Sequence, residues 1–116
     1  MEKTSGMILF SGGQVLPNIA SLLYHRPKLA LVLHTSGDTW IESAKRLSDF
    51  TQQTLRIASS PHEIGRTPSD VSQKISQLID QHKEIDTWTI SAVTGARMMY
   101  LGALMAASKA KAKVLI

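Results

Sequence analysis

The residues of this chain best suited to chemistry fall in two short segments. One is Ser11-Gly12-Gly13-Gln14-Val15-Leu16-Pro17-Asn18; the other is Ile90-Ser91-Ala92-Val93-Thr94-Gly95-Ala96-Arg97. In each, an apolar run passes through a turn of small residues into a helix-like stretch. A strand–turn–helix junction aims free backbone N–H groups and the positive end of a helix dipole at one spot. Such a spot binds anions, phosphate above all. Arg97 adds a cation that stays protonated and can hold a phosphate through paired hydrogen bonds. Taken alone, the second segment reads equally as a phosphate site or as a tight turn with a surface arginine.

Several chemistries are excluded by what the motifs lack. The first segment has no later glycine to complete G-x-G-x-x-G and no G-K-[ST], so dinucleotide-dependent redox and P-loop triphosphatase readings fall away. No G-x-S-x-G elbow announces a serine hydrolase. The chain has no cysteine, which removes disulfides, thiol nucleophiles and zinc–cysteine sites. No His/Asp/Glu cluster has metal-ligand spacing, so neither metal nor cofactor is expected. His34 ends a strand at the edge where ligands bind. It suits either general acid–base work or a hydrogen bond to the loop backbone. His62 lies in a loop near Arg66, where it can join an anion site. His25 and His82 end helices, where an imidazolium favours the dipole, and carry no assigned chemistry. Asn18, in a first helical turn, faces either a ligand or solvent.

Composition sets the outer bounds. A chain of 116 residues suits one domain over 1–116. With 43% hydrophobic and 19% charged residues it reads as globular, and 5% aromatics make the core aliphatic. A net charge of +4 and a pI near 9.6 favour an acidic partner such as a nucleotide or nucleic acid. The basic residues are not gathered in one run. No apolar run approaches the roughly 18 residues of a membrane span. Met1 to Gly6 lacks the apolar stretch of a secretion signal. No membrane partner is therefore expected, and the cysteine-free composition fits the cytoplasm.

Elements that would position these residues alternate along the chain. Gly6–Phe10 reads as a buried strand. Pro17 opens a helix to about His25, its apolar stripe being Leu16, Ile19, Ala20 and Leu23. Leu29–His34 is a second buried strand. After the turn Thr35–Thr39, either Asp38 or Thr39 caps a helix carrying Ile41, Ala44, Leu47 and Phe50; Thr39 and Glu42 have capping-box spacing. Thr54–Ala58 reads as a short third strand, and Ser59–Thr67 as the longest loop. Pro68 opens a helix with the stripe Val71, Ile75, Leu78 and Ile79. Ile85–Ile90 is the fourth strand, Met98–Ala110 the fourth helix and Lys113–Ile116 the fifth strand. The spacing predicts an α/β, Rossmann-like, open and mostly parallel sheet with helices on both faces. An ending at the fifth strand suits a minimal stand-alone domain or a piece of a longer protein.

In such a sheet, ligands bind at the carboxyl ends of the strands near the reversal of strand order. Four loops lie there: Ser11–Pro17, Thr35–Thr39, Ser59–Thr67 and Ser91–Arg97. All are rich in small hydroxyl residues and glycine, which allow close approach and offer donors. Gly102, Ala103, Ala106, Ala107 and Ala110 give the fourth helix a small-residue face. That face suits close packing on the sheet, or a dimer contact. Met98, Met99 and Met105 read as core or interface filler.

The first segment resembles the Q-x-x-P-N element, and Val93-Thr94-Gly95-Ala96-Arg97-Met98-Met99 the T-G-G-T-K-x-M element, of one branch of the CRISPR-associated Rossmann-fold (CARF) domains. In that branch these domains precede cyclic-oligoadenylate-activated nucleases. Among the departures, Thr94 stands where the family has the first glycine, and Arg97 where it has lysine. The arginine keeps the charge; the threonine changes how the turn cradles phosphate.

The resemblance implies a homodimer in type III CRISPR antiviral signalling, with one two-fold pocket for a cyclic oligoadenylate, cyclic tetra-adenylate first. The implied binding residues are Ser11, Gly12, Gly13, Gln14 and Asn18, with Thr94, Gly95, Ala96 and Arg97. Thr35, Ser36 and Gly37 are added by topology. With no effector domain in the sequence, the chain is expected to be either a sensor that only binds or a metal-independent ring nuclease. In the latter, Arg97 stabilises the developing charge, and Ser11 or His34 orients or deprotonates the ribose hydroxyl. The rival from another class is a general nucleic-acid-binding Rossmann module. Polymer binding is disfavoured because Trp40, Phe50, Trp88 and Tyr100 all fall within helix or strand patterns, leaving no stacking platform.

Overall fold

In a computed structural model, the structure describes residues 4–11, 15–91, 97–110 and 113–115. Strand β1 (Ser5–Phe10) and strand β2 (Leu29–His34) are almost wholly buried, as continuous apolar runs of a parallel sheet should be. They pair in parallel, Gly6 opposite Leu29 through Phe10 opposite Leu33. Strand β4 (Thr87–Ser91) lies on the other side of β1, with Leu9 opposite Ser91. Strand β3 (Ala58–Glu63) and strand β5 (Lys113–Leu115) form the two edges. The order is β3-β2-β1-β4-β5, all parallel. Strand order therefore reverses between β1 and β4.

Side-chain alternation splits the core into two layers. Met7, Leu9, Ala30 and Val32 face helices α1 (Leu16–His25) and α2 (Asp38–Gln53), which contribute Leu22, Ala44 and Leu47. Ile8, Phe10, Leu31, Leu33 and Ile90 face helices α3 (Pro68–Gln81) and α4 (Arg97–Ala110), which contribute Val71, Ile75, Leu78, Ala103, Ala106 and Ala107. The expected fold class holds. The small-residue face of α4 packs inward. A β-carbon on Gly102 would come within 2.7 Å of the Pro68 carbonyl oxygen on α3, so only glycine fits that crossing.

Four expectations are corrected. First, the stripe assigned to α1 is mostly its outer face. Leu16 is 78% exposed, Ala20 and Leu23 are exposed and Ile19 is half-buried, while Asn18 and Leu22 point into the core. The helix is apolar nearly all round, so spacing alone cannot choose its inner side. Second, α2 runs to Gln53, and β3 spans Ala58–Glu63 rather than Thr54–Ala58, so most of it occupies the expected loop. Leu55 and Ile57 are buried, but in the turn leading to the strand. Third, α2 is entered from Gly37, with neither an Asp38 cap nor a Thr39–Glu42 capping box; Gly37 has φ +127°, a backbone that favours glycine. Fourth, β4 starts two residues later than expected, at Thr87.

As an edge strand, β3 carries Pro61, tolerated where no ladder N–H is needed. Gln52 Nε2 donates to the Ser59 carbonyl oxygen at 2.8 Å.

Candidate functional site at the carboxyl edge

The reversal between β1 and β4 brings the exits of both motif-bearing strands side by side. Gly12, Gly13, Gln14, Thr94, Gly95 and Ala96 lie outside the described residues. The residues that bracket them are placed. Ser11 follows β1, its backbone N–H donating to the Leu33 carbonyl at 2.8 Å. Its hydroxyl donates to Ser43 Oγ on α2 at 3.1 Å. Ser91 ends β4, and Arg97 opens α4.

Asn18 sits in the first turn of α1 and is only 1% exposed. Its Nδ2 donates to the Phe10 carbonyl at 2.9 Å, tying α1 to the carboxyl end of β1. His34 ends β2 and is buried, its Nδ1 bonded to the Thr35 carbonyl at 3.0 Å, so the protonated nitrogen is the one facing the loop backbone. Its own carbonyl takes the Ile64 N–H at 2.8 Å. Thr35 is half-buried, and Ser36 and Gly37 are exposed beside it.

His62 is corrected from a loop to the edge strand β3, where its Nε2 meets Ser60 Oγ at 2.8 Å. Burial lowers its pKa from the usual 6.5, and Lys74, His82 and His34 lower it further. It belongs with α3 rather than with the reversal point.

Helix ends separate two kinds of anion site. α2 begins with Asp38 in its first turn, and α3 with Asp70. Those carboxylates already sit at the positive dipole ends. Thr67 caps α3, its hydroxyl accepting the Asp70 N–H at 3.1 Å. α1 and α4 are the helices that start beside the reversal. Neither helix start carries a side-chain carboxylate of its own in its first turn.

The burial of one residue in the second segment was not expected from the sequence. Ser91 is 0% exposed, and its hydroxyl, like those of Ser72 and Ser76 on α3, has no hydrogen-bond partner among the described residues. Such a buried orphan is costly, about 1–3 kcal/mol. The available signal was a polar residue closing an otherwise apolar strand. A groove of about 640 Å³ opens between α1 and α2, walled by Val15, Ile19, Leu47 and Phe50 and meeting Ser11 through Ser43. Glu42 and Arg46, one turn apart on α2 and both lining the groove, pair at 3.6 Å. Among the described residues, no His/Cys/Asp/Glu group is arranged to hold a metal ion, and no helix is long and apolar enough to cross a membrane.

No protein-family model matches the sequence, and comparison with curated proteins finds no match. A protein from Methanocaldococcus jannaschii, described as a predicted subunit of tRNA methyltransferase, overlaps 97% of this chain and 66% of its own at 12% identity; its TM-score of 0.43 is too low to bear on the argument. Can2 from Sulfobacillus thermosulfidooxidans, solved in complex with cyclic tetra-adenylate, superposes at a TM-score of 0.74 with 13% identity, over 95% of this chain. The chain spans 31% of the length of Can2. At that identity the likeness is one of fold: this chain has the α/β, Rossmann-like architecture found in part of a cyclic-tetra-adenylate-bound protein.

Proposed function

We propose that residues 1–116 form one CARF-like domain that binds a cyclic oligoadenylate, cyclic tetra-adenylate first, in type III CRISPR signalling in the cytoplasm. The observation that carries this reading is the pair of acid-free helix starts at the reversal between β1 and β4. Phosphates settle where dipole ends are unoccupied. Arg97 opens one of those helices and supplies charge. The groove beside Ser11 offers a nucleobase a slot walled in part by apolar side chains. The fold shared with a cyclic-tetra-adenylate complex supports the ligand class.

A ring with two-fold symmetry calls for two copies of the site. α4 exposes Leu101, Leu104 and Met105 along one side, starting beside the site. A second copy seated there covers that stripe and pairs the two sites. Within this reading Gly12, Gly13, Gln14, Thr94, Gly95 and Ala96 line the pocket, with Thr35, Ser36 and Gly37 at its flank.

Binding is tested by the thermal shift of the chain with cyclic tetra- and hexa-adenylate. A ring-dependent rise in Tm that Arg97→Ala reduces at least tenfold in apparent affinity sustains the reading; charge-assisted pairs are worth about 1.5–3 kcal/mol. No rise with any ring would end it. Cleavage is a second step. In it the ribose 2′-hydroxyl attacks the adjacent phosphorus, the 5′-oxygen leaves, and a 2′,3′-cyclic phosphate forms. Arg97 would meet the developing charge, and Ser11 or His34 would guide the 2′-hydroxyl. Incubation of labelled ring with stoichiometric protein and no metal decides it: an intact ring leaves a sensor.

A further inference from the structure

The amino edge of the sheet, opposite the strand reversal, gathers a second set of groups. α1 ends at Tyr24-His25, its link into β2 reads Arg26-Pro27-Lys28, and the link from α2 into β3 contains Arg56. Leu29 pairs with Ala58, so Lys28 and Arg56 stand just before paired positions on strands about 4.8 Å apart. Arg26, Lys28 and Arg56 are all exposed, and neither link contains a carboxylate. Glu84 and Asp86 lie before β4, beyond β1, and Asp86 Oδ2 is bonded to the Thr4 N–H at 3.0 Å.

Two local rules are broken here. Arg26 (φ 45°) and Arg56 (φ 60°) are the two non-glycine residues with positive φ among the described residues. Left-handed backbone is costly for a residue with a β-carbon, and glycine or asparagine usually takes it. The helix dipole favours a cation near the end of α1, but a residue inside the last turn would satisfy it without the left-handed backbone. The second broken rule is exposure. Tyr24 is 82% exposed, its ring edge-on to His25 at 4.9 Å between centroids. This corrects the expectation that no aromatic is free to stack. Strained arginines beside a bare ring are what a binding surface retains at the expense of local stability.

We infer that Tyr24, His25, Arg26, Lys28 and Arg56 form a contact surface for single-stranded nucleic acid, separate from the site at the carboxyl edge. A base stacks on the Tyr24 ring, and the flanking phosphates take the cations. An acidic polypeptide would answer the charges but would give the exposed ring no role.

The test is a fluorescence anisotropy titration of the chain with a labelled oligouridylate of about 12 nucleotides, within the usual span of such sites. Arg26→Gly and Arg56→Gly should each weaken binding roughly fivefold and flatten its salt dependence. Both should raise Tm, because glycine relieves the backbone, so lost binding cannot be put down to misfolding. Tyr24→Ala should weaken binding roughly tenfold with the salt slope unchanged. All three should keep any binding of cyclic tetra-adenylate, and excess ring should not displace the oligonucleotide. Binding indifferent to both arginines overturns the inference. So does displacement by the ring, or a silent Tyr24→Ala together with equal competition from polyglutamate.

Discussion

Helices α2 and α3 differ from α1 and α4 in how they meet water. α2 turns Glu42, Lys45, Arg46 and Asp49 outward, and α3 turns Asp70, Gln73 and Asp80 outward; each starts with its own acid. α1 exposes Leu16, Ala20 and Leu23, and α4 exposes Leu101, Leu104 and Met105, with no acid at either start. The first pair presents mostly charged and polar side chains, although α2 also exposes Trp40 and Phe50 beside the groove. The second pair, which flanks the strand reversal, exposes an apolar surface and has no acid in either first turn.

The sharpest way to break this contrast is inside α1. Leu22→Ala should cost about 2–5 kcal/mol in denaturant unfolding, while Leu16→Ser should change stability by no more than about 0.5 kcal/mol. Equal costs would restore the stripe expected from spacing. Next in size is the outer face of α4. Leu101→Glu with Leu104→Glu should leave the Tm of the isolated chain nearly unchanged but convert a dimer to a monomer in sedimentation at micromolar concentration. A wild type that is already monomeric there removes α4 as a docking face. In the first pair, Thr67→Ala should cost α3 about 1 kcal/mol through its lost cap. The smallest effect is a pH dependence. His62 has a lowered pKa in the fold, so the unfolded chain takes up its proton first as the medium acidifies. Stability is full above the ordinary 6.5 and falls as pH drops through it. His62→Gln should flatten that part of the profile; a slope that survives places its origin elsewhere.

How far these features were legible follows from what each element buries. β1 and β2 announce themselves because a strand covered on both faces must be continuously apolar. β3, Ala-Ser-Ser-Pro-His-Glu, has an edge position and little to bury, so its composition reads as loop. Leu55 and Ile57 drew the expected strand toward the preceding turn because they too are core residues. The candidate site was legible in Ser11 and Arg97, which mark strand and helix ends by sequence alone. Asn18 was legible as a residue of interest, though its bond to Phe10 depends on a tertiary approach that spacing does not encode. Ser91 escaped because its burial comes from neighbours far away in the chain.

The proline and the glutamine contact on β3 bear on assembly. A sheet of this kind can be lengthened indefinitely by any chain that docks alongside an open flank. Here Pro61 offers no N–H to an incoming strand, and Gln52 already occupies the Ser59 carbonyl. That flank is terminated, which discourages fibrous growth there and directs higher-order association toward helical surfaces, where stoichiometry stays finite.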